Sequence, residues 1–316
     1  MAEKMIFVTV GASLPFDRLI EYIDNEIAPK LDIDIIAQIH DKARYIPKNM
    51  EYIKTVDRAT YEKYIKKAEI IIAHAGIGVI MDCIKFKKKC IIVPRNPTKG
   101  EHIDSHQYEI CKYLEKYSQV GIVYDLSDLF SLITKMLRTP PPNFDNFKKK
   151  LTQLKNNISH FLLDPSTQNK NIFIVSSSGG HFRQITEVFD VFPKERTIMI
   201  TNATKTKINN IKMHVINSDL TDKFLPIRAF YTAFYLILKY RPKLIFTNGG
   251  GELAIPFAYL GKLFGCKIIF METISRVESK SKAAQMIYPI ADVFLVQWEK
   301  NLAKYGKKAK YWGSIL

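Results

Sequence analysis

Short apolar runs, each ending in a turn and followed by a helix-forming stretch, recur along the whole chain and leave few folds open to it. Met5-Ile-Phe-Val-Thr-Val10 ends at Gly11 and precedes a helical pattern over Phe16–Ile27. Asn171-Ile-Phe-Ile-Val-Ser176 runs into Ser-Ser-Gly-Gly and a second such pattern over Phe182–Phe189. Further runs lie at Ile33–Ile39, Ile70–Ala73, Cys90–Val93, Thr197–Thr201, Lys243–Thr247, Lys267–Met271 and Val293–Gln297. Strands this apolar must be covered on both faces, so the alternation predicts parallel sheets flanked by helices, an α/β fold.

A length of 316 residues suits two domains of about 150 residues each. Pro140-Pro-Pro142 stops helix formation. Beyond it Phe144, Phe147, Leu151, Leu154, Ile158 and Phe161-Leu162 recur at three- and four-residue steps, the pattern of an amphipathic helix. The polar Asp164–Lys170 follows. The expected division is a first domain over 1–139, a connection with its helix over 140–170, and a second domain over 171–316.

Charge is divided unevenly. Residues 1–164 hold 25 Lys/Arg against 21 Asp/Glu, and residues 165–316 hold 22 against 10, so the second part carries +12 of the formal +16. Such a field suits a polyanion or an anionic membrane surface, although a generally lysine-rich protein would show it too. No zinc-finger spacing, RNP-like aromatic motif or basic helical arm supports nucleic acid as the partner. No apolar run reaches the roughly 18 to 20 residues of a membrane span, and Met5–Val10 reads as a strand, not a signal peptide. Ala229–Leu238, flanked by Arg228, Lys239 and Arg241, is open to two readings: a buried crossover helix or an interfacial element. Cys83, Cys90, Cys111 and Cys266 lack Cys-x-x-Cys spacing and read as buried free thiols of a reducing cytosol.

Four glycine-rich turns follow strands. They are Gly11-Ala-Ser13-Leu-Pro, then His74-Ala-Gly76-Ile-Gly78 leading to Asp82, then Ser176-Ser-Ser178-Gly179-Gly180-His181, and Asn248-Gly249-Gly250-Gly251-Glu-Leu-Ala254. Glycine admits close approach to a backbone, and a helix beginning just after it offers unpaired N–H groups to phosphate. Tight strand–helix packing alone can also demand glycine, but four such turns point to phosphate handling. The fourth also satisfies G-x-G-x-x-A, with Glu272 about twenty residues on, so an NAD-dependent enzyme using Gly249, Gly251 and Ala254 is the alternative. Against it, the fingerprint belongs after the opening strand of a domain, and three turns would be left without a role.

Residues 5–137 resemble the catalytic subunit of the asparagine-linked-glycosylation transferase that adds the second GlcNAc to a dolichol-diphosphate sugar. The shared residues are Val-Thr-Val-Gly11 with Phe16-Asp-Arg-Leu-Ile20, Ala68–Gly78, Ile91-Ile-Val-Pro94 and Asp104-Ser-His-Gln107. Residues 171–316 resemble its membrane-recruiting partner subunit through Ser-Ser-Gly-Gly-His181, Thr247-Asn-Gly-Gly-Gly251, Glu272-Thr-Ile-Ser-Arg-Val277 with Ser279, Tyr288–Asp292 and Val296-Gln-Trp298. Bacterial capsule and exopolysaccharide clusters encode similar pairs. The whole is similar to glycosyltransferase family 28, which includes the peptidoglycan enzyme that forms lipid II.

The resemblance implies a GT-B fold, two Rossmann-like domains with parallel sheets facing a central cleft. It implies a UDP-sugar donor, no metal or other cofactor, and a polyprenyl-diphosphate-linked acceptor reached from the cytoplasmic face of a membrane as a peripheral protein. The first domain would bind the donor through Gly11, Ser13, His74, Gly76 and Gly78. Asp82 would take the ribose hydroxyls, unless it is a helix-surface charge, and His106 with Gln107 would take the diphosphate and the sugar. The second domain would carry His181 as general base, with Ser178, Gly179, Gly180, Asn248, Gly249, Gly250, Glu272 and Arg276 on the acceptor side; Glu272 is equally open to a structural role. His102, Asp104 and His106 alternate as metal ligands can, but the resemblance argues against a metal. Where the family has Gln-x-Gly, this chain has Gln38-Ile-His40.

Overall fold

Every strand pairing among the described residues is parallel. The computed structural model describes residues 4–102, 105–202, 211–217 and 222–316, and its contacts divide the chain into two units, Met1–Asp145 and Asn146–Leu316. The first unit has strands β1 (Met5–Thr9), β2 (Asp34–Gln38), β3 (Glu51–Ile53), β4 (Ile70–His74), β5 (Lys89–Val93) and β6 (Val120–Ile122), in the order β3-β2-β1-β4-β5-β6. Its helices are α1 (Asp17–Tyr22), α2 (Arg58–Lys67), α3 (Ile77–Lys85), α4 (His106–Leu114) and α5 (Leu129–Leu137).

The second unit has helix α6 (Asp145–Leu162), strands β7 (Ile172–Ser176), β8 (Thr197–Thr201) and β9 (Lys212–Val215), and helix α8 (Leu225–Tyr240) after α7 (Gly180–Val188). Strand β10 (Leu244–Thr247), helix α9 (Gly251–Leu263), strand β11 (Lys267–Met271), helix α10 (Lys282–Ile287), strand β12 (Val293–Leu295), helix α11 (Asn301–Tyr305) and strand β13 (Ala309–Lys310) complete it. Its sheet runs β13-β12-β11-β10-β7-β8-β9. Central strands β1, β4, β5, β7, β8 and β10 are buried almost throughout, because helices cover both faces, and this is why they read as continuous apolar runs.

The strands that no apolar run announced are β3, β6, β9 and β13, which are the two edges of each sheet. Edge strands face solvent on one side and need only a few residues of partly exposed backbone pairing. The first helix also differs from expectation. It keeps α geometry over Asp17–Tyr22 and continues as a π-helix over Ile23–Ile27, where buried Asp24 accepts from Tyr45 Oη (2.7 Å), Lys48 N (2.9 Å) and Asn49 N (2.7 Å).

Helix α6, placed by its sequence in a connection, packs as part of the second unit. Asn157 donates to Trp312 O (3.0 Å), Ser314 N donates to Lys150 O (3.3 Å), and the Phe161 and Trp312 rings lie 6.0 Å apart. The segment after it is tied to the same unit, with Asp164 paired to Lys267 at 3.2 Å and Arg196 donating to Thr167 O at 2.7 Å. An amphipathic helix must cover its apolar face, and this one buries Phe147, Leu154, Ile158 and Leu162 while docking on Trp312–Ser314. All four cysteines are buried and free.

Candidate active site

In a sheet ordered this way, the direction of winding reverses between the first and fourth strands of each unit, and a crevice opens at their carboxyl ends. β1 pairs with both β2 and β4, and β7 with both β8 and β10. Each glycine-rich turn of the sequence follows one of these four strands. The fold therefore brings the turns together in pairs, Gly11 with His74–Gly76 and Ser176–His181 with Asn248–Gly251.

In the second unit the pair is fastened by side chains. Thr247 Oγ1 donates to Val175 O (2.7 Å) and Ser176 Oγ to Asn248 Oδ1 (2.9 Å). Fully buried Asn248 donates through Nδ2 to His181 O (2.7 Å), and His181 Nδ1 lies 2.9 Å from Asn248 O. A carbonyl oxygen can only accept, so Nδ1 carries a proton, and in the neutral ring the lone pair falls on Nε2. The ring stands over Gly249, whose φ is +113° and where a Cβ would come within 2.8 Å of His181 Cε1. Only glycine suits both the backbone angle and the space. His181 belongs to the first turn of α7, which begins at Gly180, two residues before the helical pattern read from Phe182. Exposed Gly179 and Gly180, with Ser178, whose N donates to Asn202 Oδ1 (2.6 Å), form the open mouth of this turn.

The packing of Gly249 against His181 accounts for that glycine without a dinucleotide. The G-x-G-x-x-A turn follows β10, not the opening strand β7, and thus departs from the NAD fingerprint.

Glu272 directly follows β11 and is buried. It accepts from Thr273 N (2.8 Å), Ser281 N (3.2 Å) and Tyr305 Oη, and burial raises its pKa. Its contacts knit the loop after β11. Gln184 of α7 ties that loop to the His181 helix, donating to Thr273 Oγ1 and accepting from Ile274 N, both at 3.0 Å. In the same loop Arg276 donates to Ser279 Oγ at 3.1 Å, and its carbonyl accepts from Asn301 at 3.1 Å.

The first unit repeats the device with another histidine. Gly11 has φ +77°, and a Cβ there would meet His74 Cε1 at 2.6 Å; a Cβ on Gly76 would meet His74 Nε2 at 2.2 Å. Desolvation, and next the charge of Arg95, press the His74 pKa down to about 3, with His102 and His106 adding to the effect. His74 is therefore neutral at physiological pH. The rings of His102 and His106 meet edge to face at 4.7 Å. Gln38 holds the turn from below, accepting from Thr9 Oγ1 (2.8 Å) and donating to Gly11 O (3.1 Å). His40 has φ +80°, so it takes the left-handed backbone that the family's glycine would adopt. Ser13 is exposed in the loop after β1, and Gly78 lies in the first turn of α3.

Arg95 was missed by sequence reasoning. It is 2% exposed, donates from Nη2 to Val10 O (2.9 Å) and Leu14 O (2.6 Å), and lies 5.3 Å from the Phe16 ring centroid. Its Nε is buried without a hydrogen-bond partner, and burial lowers its pKa to about 10. The cation thus sits beneath the Gly11 turn and gives it a positive field. A charged residue directly after Ile91-Ile-Val-Pro94, at a strand's carboxyl end, is the signal that could have found it.

Two predicted donor residues have other partners. Asp82, buried on α3, receives Arg58 in a bidentate pair, with Nη1 to Oδ2 and Nη2 to Oδ1 both 2.8 Å. Gln107 Oε1 accepts from Arg95 N at 3.0 Å. Among the described residues no group of three or more His, Cys, Asp and Glu is placed to hold a metal; Asp104 lies outside the described residues. A groove of about 750 Å³ beside edge strand β6 gathers none of the predicted site residues.

Two doubly wound parallel-sheet domains, each with paired turns at its switch point, define a two-domain α/β protein of the GT-B class. Residues 5–161 match the family model "Glycosyltransferase family 28 C-terminal domain", and residues 212–315 match "Oligosaccharide biosynthesis protein Alg14 like". The first domain thus matches the glycosyltransferase family 28 type and the second the Alg14 type. The chain is similar to the UDP-N-acetylglucosamine transferase subunit ALG14 of Candida albicans, 27% identical over 47% of this chain and 80% of that protein. The human subunit of the same name is 25% identical over 47% of this chain and 84% of its own length. Likeness to solved structures is slight. The solution structure of ALG13 aligns at 18% identity and TM-score 0.34 over 46% of this chain and 94% of that one. The glycotransferase of kitacinnamycin aligns at 17% identity and TM-score 0.37 over 44% and 36%.

Proposed function

We propose that the protein moves a hexose-type sugar from a UDP-sugar to a polyprenyl-diphosphate-linked saccharide with inversion at the anomeric carbon. UDP-GlcNAc is the first donor to test, because the relatives' names specify it. The observation that carries the reading is the tautomer of His181, whose Nδ1–H is committed to Asn248 O and whose Nε2 bears the lone pair. In the reaction the acceptor hydroxyl oxygen bonds to the anomeric carbon as its proton passes to Nε2. The bond from that carbon to the diphosphate oxygen breaks, and its electron pair leaves with UDP. Backbone amides of the Gly11 and Gly76 turns, in the field of Arg95, hold the diphosphate and its developing charge. Asp82 takes the ribose and Gln107 the sugar, which requires both to exchange their present partners. The first domain takes the donor and the second the acceptor.

A lipid-linked acceptor cannot leave its bilayer, so the protein works at the inner face of an anionic membrane from the cytoplasm. No helix among the described residues is long and apolar enough to cross a membrane. UDP release would be measured for a panel of UDP-sugars with a lipid-linked monosaccharide, for the natural chain and His181→Ala. Turnover should fall by roughly 10²–10⁴ in the variant while UDP still raises its melting temperature. Turnover retained within a few-fold would remove the base assignment, and stabilisation by NAD but not UDP would overturn the reading.

A further inference from the structure

Helix α8 is apolar on two opposite faces. One face buries Leu225, Ala229, Ala233, Leu236 and Ile237 in the core of the second unit. The other presents Ile227, Phe230, Tyr231, Phe234, Tyr235 and Leu238, each between 44% and 69% exposed. Their spacing of +3, +4, +7, +8 and +11 from Ile227 makes them one continuous stripe. The stripe extends sideways, since Phe234 meets Phe264 at 5.9 Å just past the end of α9, next to Leu263, which is 77% exposed. Exposed apolar residues scattered singly need no explanation, but a contiguous aromatic face of this kind marks an interaction surface.

The surroundings of the stripe are basic. No acidic residue occurs from Lys223 to Lys243, a span that also holds Lys239 and Arg241, and Arg228, which pairs with Asp222 just before it. Lys239 is turned onto the stripe, donating to Tyr235 Oη at 2.9 Å. At about 1.5 Å per residue, the 16 residues of α8 reach roughly 24 Å, short of the roughly 30 Å hydrocarbon core. With its other face in the protein core, the helix can lie along a bilayer but cannot cross it.

We propose that this face of α8, with the end of α9, lies in the interfacial layer of an anionic lipid bilayer. The inference deepens the reading that the acceptor is lipid-linked and assigns the membrane contact to particular side chains. Phenyl and phenol rings suit the headgroup level, and the basic rim suits anionic headgroups. Charge decides against a second copy as the occupant. Two such faces would bring together like-charged rims of a region carrying 22 Lys/Arg against 10 Asp/Glu, whereas anionic lipid neutralises them.

The test is co-sedimentation of the full chain with phosphatidylcholine vesicles, with and without phosphatidylglycerol, at 0.1 M and 1 M NaCl. The natural protein should bind the anionic vesicles and keep part of its binding in 1 M salt, where charges are screened beyond about 3 Å. The triple variant Phe230→Ser, Phe234→Ser, Leu263→Ser should bind at least tenfold more weakly and lose the salt-resistant part. All three sites are exposed, and an unchanged UDP-induced melting shift shows that the variant is folded. Separately, Phe230→Trp should gain fluorescence quenching by brominated lipid beyond that of native Trp298 and Trp312. Unchanged binding of the triple variant, or absence of added quenching, would overturn the assignment. So would a dimer in solution that the triple variant converts to a monomer. Failure of the transferase reading is seen separately, as vesicle binding through this face without transfer to any acceptor.

Discussion

His181 and Asn248 hold each other by two hydrogen bonds, Nδ1 to the asparagine carbonyl at 2.9 Å and the asparagine amide to the histidine carbonyl at 2.7 Å. The two residues are 67 positions apart in the chain and meet because β7 and β10 are neighbours. The pair sets which ring nitrogen bears the lone pair, and it fixes the ring over Gly249.

Gly249→Ala should therefore damage both stability and turnover. Its φ of +113° is strained for any residue with a Cβ, and the new methyl would stand 2.8 Å from His181 Cε1. We expect a loss of about 1–3 kcal/mol in chemical denaturation and turnover falling more than UDP affinity. A variant with full turnover and natural stability would show that the ring is not held by this contact.

Asp82 and Arg58 allow the ribose role to be separated from the structural one. Asp82→Ala removes a buried carboxylate and frees a guanidinium that is about half exposed. If Asp82 binds ribose, calorimetry should show UDP affinity weakened by about 1.5–3 kcal/mol, with Arg58→Ala leaving it nearly intact. Equal effects of the two variants on melting temperature, with UDP affinity unchanged in both, would make the pair a tie between α2 and α3.

His74 predicts a specific acid sensitivity. Unfolded, the imidazole takes up its proton near pH 6.5; folded, it does so only near pH 3. Between these values the unfolded chain holds the extra proton, so stability is full above about pH 6.5 and declines as pH falls toward 3. Urea titrations at pH 7, 5.5 and 4.5 should show a decline of about 1.4 kcal/mol per pH unit at most from this group, and His74→Asn should flatten it. An equal slope in both proteins would mean that other groups carry the acid sensitivity.

The place of α6 predicts where the chain can be cut. A second domain starting at residue 143 keeps the helix and its docking onto Trp312 and Ser314; one starting at 165 loses the burial of Phe147, Leu154, Ile158 and Leu162. The shorter piece should be less stable by several kcal/mol, at about 1.5–3 kcal/mol per buried side chain. Equal melting temperatures would show that α6 adds nothing to that domain.

Sequence alone determined the α/β class, the central strands and the glycine-rich turns that follow four of them, because burial on both faces imprints a local apolar pattern. It also carried the family resemblance, through motifs whose order can be read residue by residue. Tertiary structure alone decided which turns meet, since that depends on strand order, a property of whole-sheet packing. It decided too that β3, β6, β9 and β13 are strands, because edge positions ask little of side chains. The partners of charged groups were equally hidden. Asp82 meets Arg58 from 24 positions away, and Arg95 meets Val10 O from 85, for a charge leaves no periodic trace of its counterpart. The two apolar faces of α8 looked alike in one dimension, and only packing determined that one is core and the other surface.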